Sequence, residues 1–551
     1  MDNVWLEQYQ DGVAQTINPD EYHSIVDFFE ASCRKHKDKI AYVNMGSPLT
    51  FDEVDRLSND FASYLQQIGL TKGDRVAIMM PNVLQYPIAL FGILRAGMIV
   101  VNTNPLYTSD ELTHQMNDSG AKAIVVLANF ASTVEKSLPN TPELQQVITT
   151  EIGDLFSPVK RLIVNAVVKY IKKMVPAYTI DSEVTFRETL NKGSSKKPSK
   201  TPVDINDVAF LQYTGGTTGV SKGAMLSHRN MISNVLQASE WIKPLKLGND
   251  EIIVTALPLY HIFSLTANCL TYFSFGAKNI LITNPRDLPN FIKEIKDSKF
   301  TAITGVNTLY NALLNHPDFN KVDYSHLKVA LAGGMALQKS VSLKWREATN
   351  SAILEAYGLT ETSPAVTINP MYLDKYNGSI GLPLPSTDIS IRDDKGKELP
   401  LGEEGELCIK GPQVMKGYWN RQDETDKVFW PDGFLRTGDI AKVDEKGFVY
   451  LVDRIKDMIV VSGFNVYPNE VEQVLSMHPG ILEAGVIGVQ EEKAGERVKA
   501  CIVRKDPNLS EEDIITFTRD HLTAYKVPKI IEFYDELPKT NVGKILRRAL
   551  R

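Results

Sequence analysis

An α/β fold is the class this sequence predicts, and three observations predict it. Short β-rich runs alternate with helical segments through most of the chain. After Pro364 the texture changes to short strands separated by Gly turns, and the final stretch mixes strands and helices compactly. At roughly 100 to 200 residues per domain, the 551 residues suggest about three or four folding units. The predicted architecture is a large body, 1–454, of two α/β sheet subdomains plus a β-rich subdomain at 365–454. A small α+β domain, 455–551, follows.

The first series of runs is RVAIMM (75–80), MIVV (98–101) and AIVVL (123–127). A polar tract at 191–207, containing GSSKKPSKTP, reads as an exposed linker. The pattern then resumes with DVAFLQY (207–213), IIVTA (252–256), NILIT (279–283), FTAIT (300–304), KVALAGG (328–334) and SAILEAY (351–357), which predicts a second βα-rich half. The β-rich part is TDISIRDDKG (387–396), GEEGELCIKG (402–411) and DGFLRTGDIAKVDEKGFVYLVD (432–453). Beyond it, MIVVSG (458–463) and strands at 484–489 and 498–503 accompany helices at 468–477 and 510–521. No short-period repeat or heptad run occurs.

With 43% hydrophobic and 23% charged residues, wholesale disorder and collagen-like repetition are excluded. Lys plus Arg number 60 against 67 Asp plus Glu, a formal charge of −7, so no overall basic field draws in nucleic acid. Cys33, Cys269, Cys408 and Cys501 are too far apart in sequence for a zinc or redox spacing and fit a reduced cytosol. The opening MDNVWLEQYQDG has no basic region followed by an apolar one, so the expected location is cytoplasmic. Oligomeric state is not encoded in any motif, and a homodimer stays open.

Two stretches bear on membranes. Residues 252–277 carry no formal charge, but Pro258, His261, Ser264, Thr266, Asn268, Thr271 and Ser274 interrupt them, so a buried strand and helix is expected rather than a span. In 158–178, Val159, Leu162, Ile163, Ala166, Val167, Tyr170, Ile171 and Met174 recur at helical spacing, with Lys160, Arg161, Lys169, Lys172 and Lys173 on the remainder. Two readings stand level: a helix lying in an anionic lipid interface on the inner face of the membrane, and a surface helix packing its apolar face on its own domain.

YTGGTTGVSKG (213–223) directly follows a predicted strand. Its glycines let backbone N–H groups approach phosphate oxygens, and Thr214, Thr217, Thr218 and Ser221 add donors. Lys222 follows Ser221 and precedes Gly223, so the order differs from a P-loop, and by itself the stretch reads as an ordinary flexible Gly/Ser/Thr loop rather than a phosphate site.

Six motifs together change that reading. They are the phosphate loop continuing as AMLSHRN, YGLTE (357–361), FLRTGD (434–439), VDRIKDMIVVSGFNVYPNEVE (452–472), YKVP (525–528) and PKTNVGK (538–544). In order and spacing the chain resembles the adenylate-forming enzymes, which include acyl-CoA synthetases, luciferases and the adenylation domains of peptide synthetases. Within that family the wording is most similar to bacterial long-chain fatty-acid CoA ligases, with phenylpropanoid ligases as the nearest aromatic-acid relatives.

The resemblance implies ligation of a fatty acid to CoA with ATP and Mg²⁺ as an acyl-adenylate forms and is consumed. A carboxylate is a poor electrophile, and attack on the α-phosphate gives it AMP as a leaving group. Bringing one anion to another demands positive charge at the reacting atoms. The family pattern implies that role for Lys544 and implies nucleotide contacts for Thr214, Gly215, Gly216, Thr217, Thr218, Gly219 and Lys222. It also implies that Gly333, Gly334, Tyr357 and Gly358 approach the base, that Thr360 donates to the α-phosphate, and that Asp439 and Arg454 hold the ribose. Glu361 is the implied Mg²⁺ ligand, a hard carboxylate suited to that ion.

His261 in LPLYHIF is implied to border the carboxylate; a lone histidine on an apolar run is otherwise a core residue. Lys456 is implied as the hinge about which the last domain swings between half-reactions. The Ser462, Gly463 and Phe464 loop is then implied to help bind CoA. Asp453 stands where more distant members often carry Gly. The acyl pocket is expected near 261–275, 306–310 and 333–335. An aromatic or medium-chain acid ligase is the alternative within the class, and an idle ATP-binding or lipid-uptake scaffold the alternative outside it.

Overall fold

The computed structural model describes residues 3–181, 183–214, 221–248, 250–491 and 495–551. Its helices begin where the sequence supplies caps. Thr50 with Glu53 opens Phe51–Gln67, Thr108 with Glu111 opens Ser109–Ser119, Thr185 with Glu188 opens Phe186–Ser194, and Ser510 with Asp513 opens Glu511–His521. In each pair the hydroxyl accepts from the third helical N–H while the carboxylate accepts from the cap N–H, satisfying two otherwise orphaned donors.

The continuous apolar runs become parallel strands covered on both faces, as such runs should. One sheet has seven strands in the order Glu183–Thr185, Gln146–Thr150, Ala121–Leu127, Arg75–Met79, Ile99–Asn102, Val208–Thr214, Lys222–Ser227, and only its last pair is antiparallel. A nine-stranded sheet carries Ile252–Thr255, Lys278–Leu281, Ala302–Gly305, Val329–Gly333 and Ile353–Gly358 as its parallel centre. A four-stranded antiparallel sheet follows (Asp388–Arg392, Gly405–Lys410, Leu435–Val443, Val449–Arg454). Ile459–Val461, Phe464–Val466, Ile481–Glu491, Gly495–Arg504 and Ile530–Tyr534 make a separate five-stranded sheet.

The α/β halves exchange strands across the expected linker. Val208–Thr214 returns to the first sheet beside Ile99–Asn102, while Ile40–Asn44 leaves the amino-terminal region to pair with Lys278–Leu281 in the second. The polar tract at 191–207 first completes the helix Phe186–Ser194, and then lies along Phe51–Gln67 through Ser63 to the Lys196 carbonyl and Gln66 to the Ser199 carbonyl.

Residues 252–277 form the expected buried strand and helix. The helix continues as a π-helix over Leu265–Tyr272, whose wider turns are frequent at functional sites. Among the described residues, no helix is long and apolar enough to cross a membrane.

The stretch at 158–178 is helical over Pro158–Ala166, continues as π-helix through Val167–Ile171, and is oriented opposite to the usual amphipathic arrangement. Lys160 donates to the Met45 carbonyl, Asn165 accepts from Gly153 N–H at 2.8 Å, and Val164 and Val168 pack inward. The broader apolar stripe points outward, with exposure running from 50% at Met174 through Leu162 and Tyr170 to 74% at Ile171. Packing of that stripe on the chain's own domain is therefore not what this structure contains.

The two helices flanking the first sheet meet backbone to backbone. A Cβ added at Gly193 would lie 1.8 Å from the Asp60 carbonyl oxygen. Gly193→Ala is expected to destabilise the body by about 1–3 kcal/mol through overpacking, measured as a lowered urea midpoint. An unchanged midpoint would refute the contact.

Candidate active site

Three of the sequence motifs begin at the carboxyl ends of parallel strands, where open α/β sheets form their ligand crevices. The strands are Val208–Thr214, Val329–Gly333 and Ile353–Gly358. Residues from all three line one cavity of about 1620 Å³, together with His261, Glu361, Asp439, Arg454, Lys456 and Lys544.

At the phosphate loop, Thr214 and Lys222 face each other in antiparallel register, and Ser221 Oγ donates to the Thr214 carbonyl at 2.5 Å. Gly215, Gly216, Thr217, Thr218 and Gly219 lie outside the described residues. The Lys222 ammonium pairs with Glu424 and stands 5.0 Å from the Tyr418 ring centre. Lys222 and then Lys427 hold the Glu424 carboxyl down to about 2.

Tyr357, Asp439 and Arg454 form a second group. Asp439 and Arg454 are cross-strand partners, with Arg454 Nε 3.3 Å from Asp439 Oδ1. The Tyr357 hydroxyl donates to Asp439 Oδ2 at 2.6 Å, joining the nine-stranded sheet to the four-stranded one. Burial pushes the Asp439 carboxyl up, and the Arg454 guanidinium opposes that shift. Gly358 is confined to glycine because a Cβ there would lie 2.0 Å from the Pro364 carbonyl oxygen.

Thr360 and Glu361 occupy one turn of 3₁₀ helix, Thr360–Thr362. Glu361 is oriented twice: its carbonyl accepts from Met415 N–H at 2.8 Å, and its Oε1 accepts from the Tyr418 hydroxyl at 2.7 Å. The second carboxylate oxygen keeps acceptor capacity. A single carboxylate completed by phosphate and water oxygens is a donor set that suits Mg²⁺.

Lys544 reaches this centre from the carboxyl-terminal part of the chain. PKTNVGK folds as a tight hairpin in which Thr540 N–H donates to the Lys544 carbonyl at 2.7 Å and Gly543 N–H to the Thr540 carbonyl at 3.0 Å. Thr308 Oγ1 fixes the tip by donating to the Gly543 carbonyl at 2.8 Å. A Cβ at Gly334, whose φ is +82°, would lie 2.9 Å from Lys544 Cε, so this glycine admits the lysine stem. Burial first, and then Arg454, lowers the Lys544 ammonium to about 8, with Asp439 acting in the opposite sense.

His261 caps the helix that follows it, Nδ1 accepting from Phe263 N–H at 3.4 Å. Burial, and then the Lys544 charge, lowers the imidazole to about 3, so it is neutral near pH 7 with its proton assigned to Nε2. Gly333 faces Phe263, whose ring would be 3.0 Å from a Cβ at that position.

Ser462, Gly463 and Phe464 are not part of the cavity lining. Ser462 and Gly463, with φ of +51° and +85°, form the two-residue turn joining Ile459–Val461 to Phe464–Val466. Phe464 is 57% exposed and stacks on Tyr525 at 4.9 Å. Nor do residues 306–310 line the cavity; Tyr310 is buried in the core, its hydroxyl donating to the Leu331 carbonyl. Asn234, Ala238 and Ile242, Tyr418 and Glu424 line it without having been expected. For the first three, spacing by four residues along a helix was the available signal.

The seam between the carboxyl-terminal sheet and the body is polar. Asn311 donates to the Leu482 carbonyl, Lys505 to Asn315 Oδ1, and Lys339 N–H to Gln473 Oε1. Asp453, at the end of the four-stranded sheet, accepts from Asn469 N–H at 2.8 Å and pairs with Arg547, which also engages Glu472 at 2.8 Å.

Comparison with known proteins agrees with this geometry. The family described as AMP-binding enzyme matches residues 29–419, and its C-terminal domain matches 470–544. A long-chain-fatty-acid–CoA ligase of Escherichia coli O6:H1 is 56% identical over 552 aligned residues, covering 100% of this chain and 98% of the relative. One from Haemophilus influenzae is 52% identical, covering 100% and 98%. Among solved structures, an anthranilate CoA ligase in complex with anthranoyl-AMP superposes with a TM-score of 0.85 at 26% identity, covering 97% of this chain and 98% of that one. The sequence motifs, the cavity they enclose and these matches agree, and the chain belongs to the AMP-binding enzyme family.

Proposed function

We propose that the chain is an ATP-dependent long-chain fatty acid:CoA ligase, forming acyl-CoA, AMP and pyrophosphate through an acyl-adenylate. The observation that carries this reading is the Lys544 ammonium, buried against Gly334 where the polar Asp439 and Arg454 end of the cavity meets its apolar part. The names and high identity of the full-length relatives support the fatty-acid substrate.

In the first half-reaction a carboxylate oxygen attacks the α-phosphate and pyrophosphate leaves. Lys544 bridges the carboxylate and the α-phosphate, stabilising negative charge that is concentrated as they close. Adjacent anions favour its protonated form and so counter the lowering toward 8. Thr360 donates to the α-phosphate, Asp439 accepts from the ribose hydroxyls, and Arg454 assists it. Tyr357, Gly333 and Gly334 border the base, and Lys222 with the phosphate loop meets the outgoing phosphates. Glu361, oriented by Tyr418, would hold Mg²⁺, which supplies neutralisation of phosphate charge. Neutral His261 presents an N–H beside the carboxylate without acting as a base.

In the second half-reaction the CoA thiol attacks the acyl carbonyl and AMP leaves. The region 455–551 acts as a mobile domain, swinging about Lys456 to withdraw Lys544 and bring the Ser462, Gly463 and Phe464 turn toward the pantetheine path. Such alternation is gating by domain motion.

Acid-dependent pyrophosphate exchange with short fatty, long fatty and cinnamic acids tests the substrate. Long fatty acids are expected to support it best; preference for cinnamic acids would replace the substrate class, and no exchange with any acid would defeat the ligase reading. Lys544→Ala is expected to lower adenylation about 10²- to 10³-fold, the loss typical of a charge-stabilising group, while thioester formation from supplied acyl-adenylate persists. Equal loss of both steps would contradict the swing.

A second reading concerns location: a cytoplasmic enzyme peripheral on an anionic membrane face through 158–178. The outward apolar stripe with Lys169, Lys172 and Lys173 beside it supports this reading. At about 1 kcal/mol per basic residue near such a surface, replacing these three lysines by Glu is expected to weaken binding to anionic phospholipid vesicles about hundredfold. Unchanged binding in a vesicle sedimentation assay would remove the membrane role.

A further inference from the structure

Resting on the fatty-acid reading above, we propose that the alkyl chain runs between the helix His228–Ile242 and the π-helix Leu265–Tyr272, and that Ala238 and Ile242 set the length it accepts. Asn234, Ala238 and Ile242 all line the cavity. Spaced by four, they share one face of their helix, and the eight residues from first to last span about 12 Å.

The opposite wall runs in the same direction. Phe263, at one end, lies against Gly333 beside the Lys544 site. Tyr272, at the other, belongs to the same apolar cluster as Ile242. The floor repeats the direction, because Gly333 and Leu331 are two apart on one strand and project from the same face, and Leu331 packs against that same cluster. Three elements therefore lead from the reacting atoms to an apolar end wall.

Near the reacting end the polar groups along this path are engaged elsewhere, while at the far end Thr271 Oγ1 and the Tyr272 hydroxyl are buried without a hydrogen-bond partner. Thr266 Oγ1 donates to the Ser363 carbonyl at 2.6 Å. Asn234 donates to the Ala365 carbonyl at 2.8 Å and accepts from Ala365 N–H at 2.9 Å. Between those ends Ala238, Ile242, Phe263 and Ala267 line the cavity with hydrocarbon, which suits an alkyl chain.

With C–C bonds of about 1.5 Å, an extended alkyl chain advances about 1.3 Å per carbon, so the wall from Asn234 to Ile242 accommodates about nine methylenes. Ala238 stands halfway and is the small residue that keeps the lumen open. Ile242 and Tyr272 close the far end.

The experiment uses the full chain with ATP, Mg²⁺ and CoA and a series of saturated acids. In Ala238→Phe the ratio of kcat/KM for hexadecanoate to that for octanoate is expected to fall about tenfold or more, the contribution of about two buried methylenes. In Ile242→Ala the ratio for octadecanoate to dodecanoate is expected to rise about threefold, as the end wall recedes by part of a side chain. An unchanged ratio in Ile242→Ala overturns the assignment whether or not Ala238→Phe folds. Failure of the unaltered protein to activate any fatty acid would instead defeat the substrate reading on which the tunnel rests.

Discussion

A cation buried in the protein interior is the constraint on which the rest of this structure depends. Lys544 carries its ammonium out of water to a point bordered by the nine-stranded sheet at Gly334 and the four-stranded sheet at Asp439 and Arg454. An isolated charge there is unfavourable, and the lowered proton affinity of the amine records it. Gly334 gives the stem room, the 538–546 hairpin fixes its direction, and Thr308 anchors the tip. The fold thus supplies a lysine whose charge gains full value only when anions occupy the crevice.

The surrounding groups are arranged in pairs that orient one another. Tyr357 and Arg454 bracket the buried Asp439, and Tyr418 holds Glu361 while its ring lies beside Lys222. Each carboxylate meets a hydroxyl whose ring belongs to a different structural layer or loop, so the polar end of the cavity is stiffened by contacts across elements rather than within them. Such cross-links hold charges in place before a reaction needs them.

Much of this was legible in the sequence because it is local. The capping boxes, the strand runs and the phosphate loop declare themselves within a few residues, and the six motifs brought Thr360, Glu361, Asp439, Arg454 and Lys544 to one cavity. What escaped was set by distant partners. Nothing in DVAFLQY states that Val208–Thr214 will return to the first sheet, because each half offers it an equally apolar neighbour. Tyr418 and Glu424 acquire meaning only from Glu361 and Lys222 across the crevice. Periodicity found the apolar stripe of 158–178 but not its direction, which Lys160 and Asn165 determine through bonds to Met45 and Gly153.

The seam beneath the carboxyl-terminal sheet has one more consequence. Among the described residues the apolar clusters of that region and of the body share no members, and amide, ammonium and hydroxyl groups hydrogen-bond across the gap. Surfaces of this kind exchange protein partners for water at little net difference.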